Sequence, residues 1–189
     1  MRQTMKPLLG LALAGCVVAL SQAPAAARDD ANQLSPRAQA ALGDARRATA
    51  RFHDINVALS ASGGYGPTPV MDVAGNICID QPGQGAMGIH YANGSLLDAT
   101  VKEEEPEALM YEPMPNGTLR LVGVEYLVFQ DVWDQANPGR PPRLFDQAFH
   151  LVPAGNRYGL PRFYALHVWM WQPNRNGLFA DWNPAVRCP

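Results

Sequence analysis

Cysteine, lysine and serine are all scarce in this sequence, and their scarcity argues against several kinds of chemistry. The 189 residues include three cysteines and two lysines, Lys6 and Lys102, and the formal net charge is −2. A mildly acidic chain offers no excess of positive charge to phosphates, so we expect no nucleic-acid partner. None of the few serines lies in the Gly-x-Ser-x-Gly motif of serine hydrolases.

A glycine-rich stretch, PGQGAMGIHYANG over residues 82–94, contains Gly-x-Gly-x-x-Gly at Gly83, Gly85 and Gly88. In a dinucleotide-binding fold this motif opens a helix whose N-terminus holds the pyrophosphate. Here Gly88 is followed by Ile-His-Tyr-Ala, which is a strand pattern, and no lysine follows at the spacing of a phosphate-binding loop. We therefore expect no nucleotide cofactor and interpret the glycines as a turn that enters a strand.

The N-terminus has the order of a secretory signal peptide. Arg2 and Lys6 precede an apolar run over residues 8–20, and small residues at 25–27 form an Ala-x-Ala cleavage site. We expect residues 1–27 to be removed and the protein to be exported, as a periplasmic or secreted protein.

An alternative interpretation is lipoprotein processing. Residues 13–16, Leu-Ala-Gly-Cys, resemble a lipobox, in which Cys16 would be lipidated and would anchor the protein. The apolar run is too short to be a membrane span of the mature chain, so without lipidation we expect no membrane partner.

Two cysteines, Cys78 and Cys188, remain after either kind of processing. An even count in an oxidising compartment predicts a disulfide. This bond would tie the C-terminus to the β-rich part of the chain, and closing so long a loop is worth about 4–5 kcal/mol in loop-entropy terms.

The remainder predicts a single domain, residues 35–189, after a flexible polar segment at residues 28–34. Ser35 is a helix N-cap followed by proline at the first helical position. Apolar residues then recur at helical spacing, which predicts one amphipathic helix over residues 36–60 that ends before a pair of glycines.

Strand and turn patterns follow the helix. The clearest unit is a hairpin whose turn contains Asn116-Gly117. Residues 130–160, rich in proline, glycine and asparagine, are too long for a simple connection and predict a covering loop or lid. The fold class is therefore α+β, with the N-terminal helix packed on a mainly antiparallel, curved β-sheet or small barrel. The predicted strands are residues 77–79, 86–92, 108–111, 118–129 and 163–171.

Three of these strands each place one ionisable side chain among apolar or small neighbours. If alternation is strict, Glu125 shares a face with leucines, and His167 shares one with two tryptophans. His90 shares a face with Gly88 and Ala92, which leave space beside it. A buried carboxylate requires a partner, a proton or a metal ion.

Two imidazoles and one carboxylate from neighbouring strands form an open ligand set for Fe, and with a further histidine one for Zn, Mn or Cu. We predict a divalent-metal site of His90, Glu125 and His167, with His53 from the covering helix as a fourth ligand. Glu125 would be the catalytic residue, as a ligand or general base. Such an enzyme would act on a small molecule, as an oxidoreductase with a redox metal and as a hydrolase or lyase with zinc.

Two other hypotheses remain open. Trp169 and Trp171, two positions apart on one strand, together with Tyr91, would form the aromatic wall of a metal-free module that binds a sugar or another small molecule. Otherwise these side chains only fill a core, and the protein has a structural role in the cell envelope.

Several short blocks resemble a group of small exported bacterial proteins whose function is not established. The blocks are GAMGIHY, VEYLVF, LHVWMWQPN and FADWNPAVRC, with His53-Asp54 after a helical Ala-Thr-Ala, and they cover residues 48–188. The resemblance implies export but no activity, ligand or catalytic residue. The functional hypotheses therefore rest on the residues alone.

Overall fold

The computed structural model describes residues 34–189. The predicted signal peptide, the alternative lipobox and most of the predicted flexible segment lie outside these residues. Leu34, the last residue of that segment, is 7% exposed and belongs to the main hydrophobic core. Within the described residues, no helix has the length and apolar character needed to cross a membrane.

The N-terminal helical region begins where the sequence predicts but consists of three parts. The Ser35 hydroxyl accepts a backbone N–H and caps helix α1, Pro36–Thr49. A 3-10 turn, Ala50–His53, comes next, and Asp54 then caps the short helix α2, Ile55–Ala58. The prediction of one continuous helix is wrong because Asp54 adopts extended backbone, although the apolar spacing continues across this break.

Most strands belong to one curled antiparallel sheet. They are β1 Cys78–Gln81, β2 Gly85–Ala92, β3 Ala108–Pro113, β4 Leu119–Phe129, β7 His150–Val152 and β8 Phe163–Val168; β5 Arg143–Leu144 and β6 Gln147–Ala148 form a separate ribbon. The order in the sheet is β1-β2-β3-β4-β8-β7, and all of its pairs are antiparallel. This half-barrel with an N-terminal helix confirms the predicted α+β class.

The central strand pair contains a β-bulge that the sequence does not reveal. Tyr111 pairs with Leu121 but Met110 pairs with Gly123, so Val122 is an extra residue in β4. The bulge reverses the alternation along β4, and Leu121 packs in the main core whereas Val122 packs on the opposite face. The prediction that Glu125 shares a face with the leucines of this strand is therefore wrong for Leu121.

Residues 130–160 contain more regular structure than the predicted covering loop. Helix α3, Gln130–Ala136, follows β4 directly, and the β5–β6 ribbon and the edge strand β7 come next. The end of the segment does cover the sheet, since Tyr158 and Leu160 line a pocket over it. Arg157 fastens this part through an ion pair of 2.8 Å with Asp72.

Hydrophobic side chains fill both faces of the sheet. The helices pack on one face, where the main core includes Ile89, Tyr91 and Tyr126. A smaller cluster on the other face contains Trp169 and Val186. The sheet therefore separates the helices from the side chains on its opposite face.

Cys78 and Cys188 form the predicted disulfide, which joins residues 110 positions apart. The bond ties the last residues of the chain to strand β1 at the edge of the sheet. Disulfides are typical of proteins in an oxidising compartment.

Candidate metal centre

Three ionisable side chains from three strands meet on the sheet face opposite the helices. They are His90 of β2, Glu125 of β4 and His167 of β8. His90 points to this face because its neighbours Ile89 and Tyr91 point into the main core. Glu125 and His167 are direct partners in the register of β4 and β8.

His90 and Glu125 meet across the intervening strand β3. Strands β2 and β4 are two strand spacings apart, or about 9–10 Å. Between them lies Ala108, which pairs with Ala92 on one side and with Glu125 on the other. Its methyl group leaves room for the longer side chains to approach each other above the sheet.

The Glu125 carboxylate lies between the two imidazoles. Its Oε2 is 3.7 Å from His90 Nε2, and its Oε1 is 3.7 Å from His167 Nε2. Potential ligand atoms of all three residues lie within 4.8 Å of one another. Both histidines are 3% exposed and Glu125 is 9% exposed. The group is compact enough to hold one metal ion.

The imidazole nitrogens of this group are not satisfied by protein hydrogen bonds. All four are buried, and none makes a hydrogen bond of normal distance and angle within residues 34–189. Their weaker polar contacts are with the Gly88 backbone for His90 and with Asp181, at 3.5 Å, for His167 Nδ1. The 3.7 Å contacts to Glu125 exceed the length of a hydrogen bond. Because buried polar groups are nearly always paired, this cluster is not a completed hydrogen-bond network.

The two histidines differ in their electrostatic surroundings. Burial lowers the pKa of His90 to about 4, against the attraction of Glu125, so its imidazole is neutral at physiological pH. Burial also disfavours protonation of His167, but the carboxylates of Glu125 and Asp181 outweigh it and raise its pKa. A neutral imidazole is the form that binds a metal ion.

Asp181 and His150 flank the group, and the sequence predicts a role for neither. Asp181 Oδ1 is 3.5 Å from His167 Nδ1 and 3.5 Å from His150 Nδ1. The His150 ring is nearly parallel to that of His167, at 6.4 Å between centroids. Asp181 comes from the C-terminal loop, where no strand period indicates direction, and only its place in the FADWNPAVRC block singles it out.

The structure does not bring His53, the predicted fourth ligand, to this group. His53 is exposed at the end of the 3-10 turn, and its ring packs against Trp171 at 4.4 Å between centroids. The helices lie on the face that carries Ile89 and Tyr91, so the sheet separates His53 from His90.

The predicted aromatic wall is divided in the same way. Trp169 is 2% exposed, and its indole N–H donates to the Ala180 carbonyl at 2.5 Å. Trp171 packs against the main core on the helix side, and Tyr91 is buried in that core against Tyr111. The strand alternation fails after Val168 because β8 ends there. Trp169 therefore packs on one face of the sheet, and Trp171 and Tyr91 pack on the other.

The glycine motif shapes the backbone around β2. Gly83 lies in the β1–β2 turn with a φ of 79°. At Gly88, where φ is 90°, a Cβ would lie 2.4 Å from the Tyr111 carbonyl oxygen. Gly88 therefore permits close strand packing. The predicted space beside His90 adjoins Ala92, which lines a pocket together with His90, and does not adjoin Gly88.

A pocket of about 210 Å³ opens beside the group, and His90 and Glu125 form part of its wall. Val70 and Leu97 come from loops on one side, and Tyr158 and Leu160 come from the covering segment. The remaining lining residues lie on or beside the sheet and are Ala92, Glu107, Ala108, Leu127, Phe129 and Phe163. The pocket is mainly apolar, and its polar lining residues are His90, Glu107, Glu125 and Tyr158.

Glu107 is the second buried carboxyl of this pocket. It is 2% exposed, and its Oε2 accepts the Leu127 backbone N–H at 3.0 Å. The hydrogen bond from Leu127 lowers the pKa of Glu107, but burial has the larger effect and raises it to about 8. The sequence does not single out Glu107, because this residue follows a run of three glutamates and a proline, which is typical of a solvated loop.

Comparison of the chain with protein-family models, curated proteins and solved structures finds no match. The function must therefore be inferred from the residues of the site.

Proposed function

We propose that this is an exported protein that holds one divalent transition-metal ion through His90, Glu125 and His167. The observation that carries the proposal is the set of buried imidazole nitrogens without hydrogen-bond partners around a buried carboxylate. A metal ion would satisfy one nitrogen of each histidine and neutralise the carboxylate at the same time. No protein group within residues 34–189 does both.

The spacing of the group supports coordination of one ion. Ligand atoms about 2.1 Å from a metal lie roughly 3.0–3.5 Å apart at ordinary coordination angles. The two Nε2–carboxylate distances of 3.7 Å require a slight contraction, and the ligand atoms farthest apart, at up to 4.8 Å, require a larger one. Imidazole ligands favour Fe, Zn, Mn or Cu over Mg and Ca, and three protein ligands leave positions open for a small molecule.

The pocket supplies a place for that molecule next to the open positions. A bound metal ion would polarise an oxygen of the molecule or lower the pKa of a bound water. Glu125, which has two oxygens at the centre of the group, would serve as a ligand or as the general base that accepts a proton. Apolar walls would keep bulk water away from the reacting atoms.

Export is part of the same proposal. The Cys78–Cys188 disulfide supports an oxidising compartment, and the signal-like N-terminus together with the resemblance to exported bacterial proteins agrees with it. We propose a periplasmic or secreted location.

The test is a thermal titration of chelator-treated protein with Zn, Fe(II), Mn and Cu, and with Mg and Ca as controls. At about a hundredfold excess over the dissociation constant, a bound ion stabilises the fold by about 2.7 kcal/mol, a rise of several degrees. The double variant His90→Ala, His167→Ala should lose this rise. His53→Ala should keep it, because His53 lies on the other side of the sheet. Equal shifts in all three proteins, or none in the wild type, would refute the proposal.

A metal-free binding module is the second candidate, and the apolar pocket favours it. In that case a small apolar molecule would bind with equal affinity to the chelated wild type and to the single variant His167→Ala, because His167 does not line the pocket. The tryptophans would contribute little, because neither Trp169 nor Trp171 lines the pocket.

A further inference from the structure

We propose that the pocket beside the metal centre binds a small monocarboxylate with an apolar body, and that the carboxylate of this molecule coordinates the metal ion. The inference deepens the proposed function and rests on it, because the metal ion supplies the contact with the carboxylate. The apolar wall of the pocket selects the body of the molecule, with Leu160 as a specificity-determining residue.

The metal ligands form one end of the pocket. His90 and Glu125 belong to its lining, whereas His167 does not. His167 is instead flanked by Asp181, which lies 3.5 Å from its Nδ1. Three protein ligands leave a coordination position for a further molecule. The pocket provides space for that molecule next to His90 and Glu125.

The rest of the wall suits an apolar body. Its side chains are mainly aliphatic or aromatic and come from the sheet and from the loops above it: Val70, Leu97, Leu127, Phe129, Leu160 and Phe163. Each methylene group that a ligand buries against such a wall strengthens binding about fourfold. A molecule that carries a second charged group would have to bury that group against the same apolar side chains.

The size of the pocket limits the body of the ligand. An apolar protein cavity of about 150 Å³ accommodates a benzene molecule. In proportion, a pocket of about 210 Å³ accommodates about eight non-hydrogen atoms. A short branched chain together with its carboxylate fits this space, whereas a sugar chain or a nucleotide does not.

The charge of the metal centre favours a ligand with a single negative charge. A divalent ion that is bound by two neutral imidazoles and one carboxylate carries one excess positive charge. Excess charge is costly in an apolar environment, and a ligand carboxylate neutralises it. A dianion would leave excess negative charge, and among residues 34–189 no arginine or lysine lines the pocket to balance it. A cation would be repelled by the metal ion.

Charged groups just outside the pocket do not replace the ligand carboxylate. Arg157, next to Tyr158 of the lining, is paired with Asp72 at 2.8 Å. The Asp181 side chain is 45% exposed, so water screens its charge.

Glu107 also lines the pocket, but its side chain belongs to the other face of the sheet. Ala108 pairs with Glu125, whereas Leu109 packs in the main core, so strand alternation places Glu107 with Leu109. The Glu107 carboxyl accepts the Leu127 backbone N–H at 3.0 Å. The metal centre therefore provides the polar end of the pocket.

The experiment measures binding of four probes by calorimetry to zinc-loaded and to chelator-treated protein: isovalerate, isovaleramide, acetate and succinate. Isovaleramide has the shape of isovalerate without its charge, acetate lacks the branched body, and succinate carries a second carboxylate. Isovalerate should bind to the zinc-loaded protein at least about tenfold more tightly than each of the others, and at least about tenfold more tightly than to the chelator-treated protein. Equal binding of isovaleramide, or equal binding with and without zinc, would overturn the proposal.

Cobalt(II) in place of zinc reports whether the carboxylate reaches the metal ion, because the visible absorption bands of Co(II) depend on its coordination. Isovalerate should change these bands with the dissociation constant that calorimetry gives, and isovaleramide at the same concentration should leave them unchanged. Unchanged bands at saturating isovalerate would show that the molecule binds without coordinating the metal and would overturn the proposal.

A matched pair of leucine variants locates the apolar body. Leu160→Trp enlarges a side chain of the pocket wall and should lower the affinity for isovalerate at least about tenfold, while zinc and acetate affinities stay within about threefold of the wild type. Leu151→Trp changes an exposed residue of β7 outside the pocket lining and should leave all three affinities unchanged. Wild-type affinity of Leu160→Trp for isovalerate would show that the body binds elsewhere, and the proposal would fail.

The zinc content of the same samples separates this proposal from the proposed function. If the wild type binds zinc and His90→Ala, His167→Ala does not, but isovalerate binds no better than isovaleramide, the assigned ligand class alone is wrong. If the wild type binds no zinc, the metal centre is wrong and the assigned coordination falls with it.

Discussion

Glu125 and His167 face each other as paired residues of β4 and β8, and the same carboxylate that lies 3.7 Å from His167 lies 3.7 Å from His90. One buried acidic group is thus shared by two imidazoles from strands that are not adjacent to each other. The contacts are too long for a hydrogen-bond network but suit a set of metal ligands. Removing the carboxylate should therefore abolish metal binding without a large loss of stability in the metal-free protein.

Replacing Glu125 by leucine should separate these two effects. Without metal, both imidazoles can become neutral once the carboxylate is removed, and neither makes a hydrogen bond of normal length to it, so Glu125→Leu should stay within about 1 kcal/mol of the wild type. With metal, only the wild type should gain stability. Urea denaturation of both proteins, with chelator and with zinc, measures the two quantities. A large loss of stability in chelator would instead indicate a structural role for Glu125.

Asp181 should act as a positioning residue for His167. Its contact with Nδ1 orients the ring and leaves Nε2 facing Glu125. Outer-shell carboxylates of this kind typically change metal affinity by about 10- to 100-fold, and we expect a loss in that range for Asp181→Asn. Asp80→Asn, at an exposed position of β1, is the control and should bind as the wild type does. Equal affinities in a calorimetric zinc titration would remove Asp181 from the account.

Glu107 should give the fold a dependence on pH. Its pKa is about 8 in the folded protein against an ordinary value of 4.5, so the folded state retains a proton that the unfolded state releases. This carboxyl therefore stabilises the fold at low pH, and its contribution is lost as the pH rises from the ordinary value of 4.5 through about 8. Glu107→Gln cannot titrate, and from about pH 5 to pH 8 it should gain on the order of 3 kcal/mol relative to the wild type. Parallel stability curves of the chelator-treated proteins would contradict this assignment.

The disulfide should contribute most of its stability through the unfolded chain. Its two cysteines are 110 positions apart, and cross-linking a loop of that length is worth about 4–5 kcal/mol by its effect on chain entropy. The variant Cys78→Ala, Cys188→Ala should lose about this amount in urea denaturation, and the wild type should lose a similar amount after reduction. A loss below about 1 kcal/mol would show that the bond adds little to the fold.

Local patterns in the sequence predict much of this fold and part of the site. Neighbouring residues alone indicate the Ser35 cap, the Asn116-Gly117 turn and the positions of the short strands. The cap and the hairpin that contains this turn both occur in the structure. His90 and His167 could be placed on strands for the same reason. Their meeting with Glu125 depends on the strand order, which local patterns leave open.

The remaining features depend on contacts between distant residues. The bulge at Val122 changes which side chains accompany Glu125, and nothing in the local pattern of β4 reveals it. The prediction of His53 as a ligand assumes that the helix covers the sheet face that carries His90 and His167. The helix instead covers the face that carries Ile89 and Tyr91. Asp181 comes from a loop that is held by contacts with the sheet, since the Ala180 carbonyl accepts the Trp169 indole N–H and Asn183 forms a β-bridge with Ala86.

Elemental analysis of the protein purified without chelator is the most direct test of the central claim, that His90, Glu125 and His167 hold one metal ion. The account predicts about one equivalent of a single transition metal per chain in the wild type and in His53→Ala, and loss of that metal from the folded variant His90→Ala, His167→Ala. A wild-type content near zero, or equal contents in the wild type and the double variant, would contradict it.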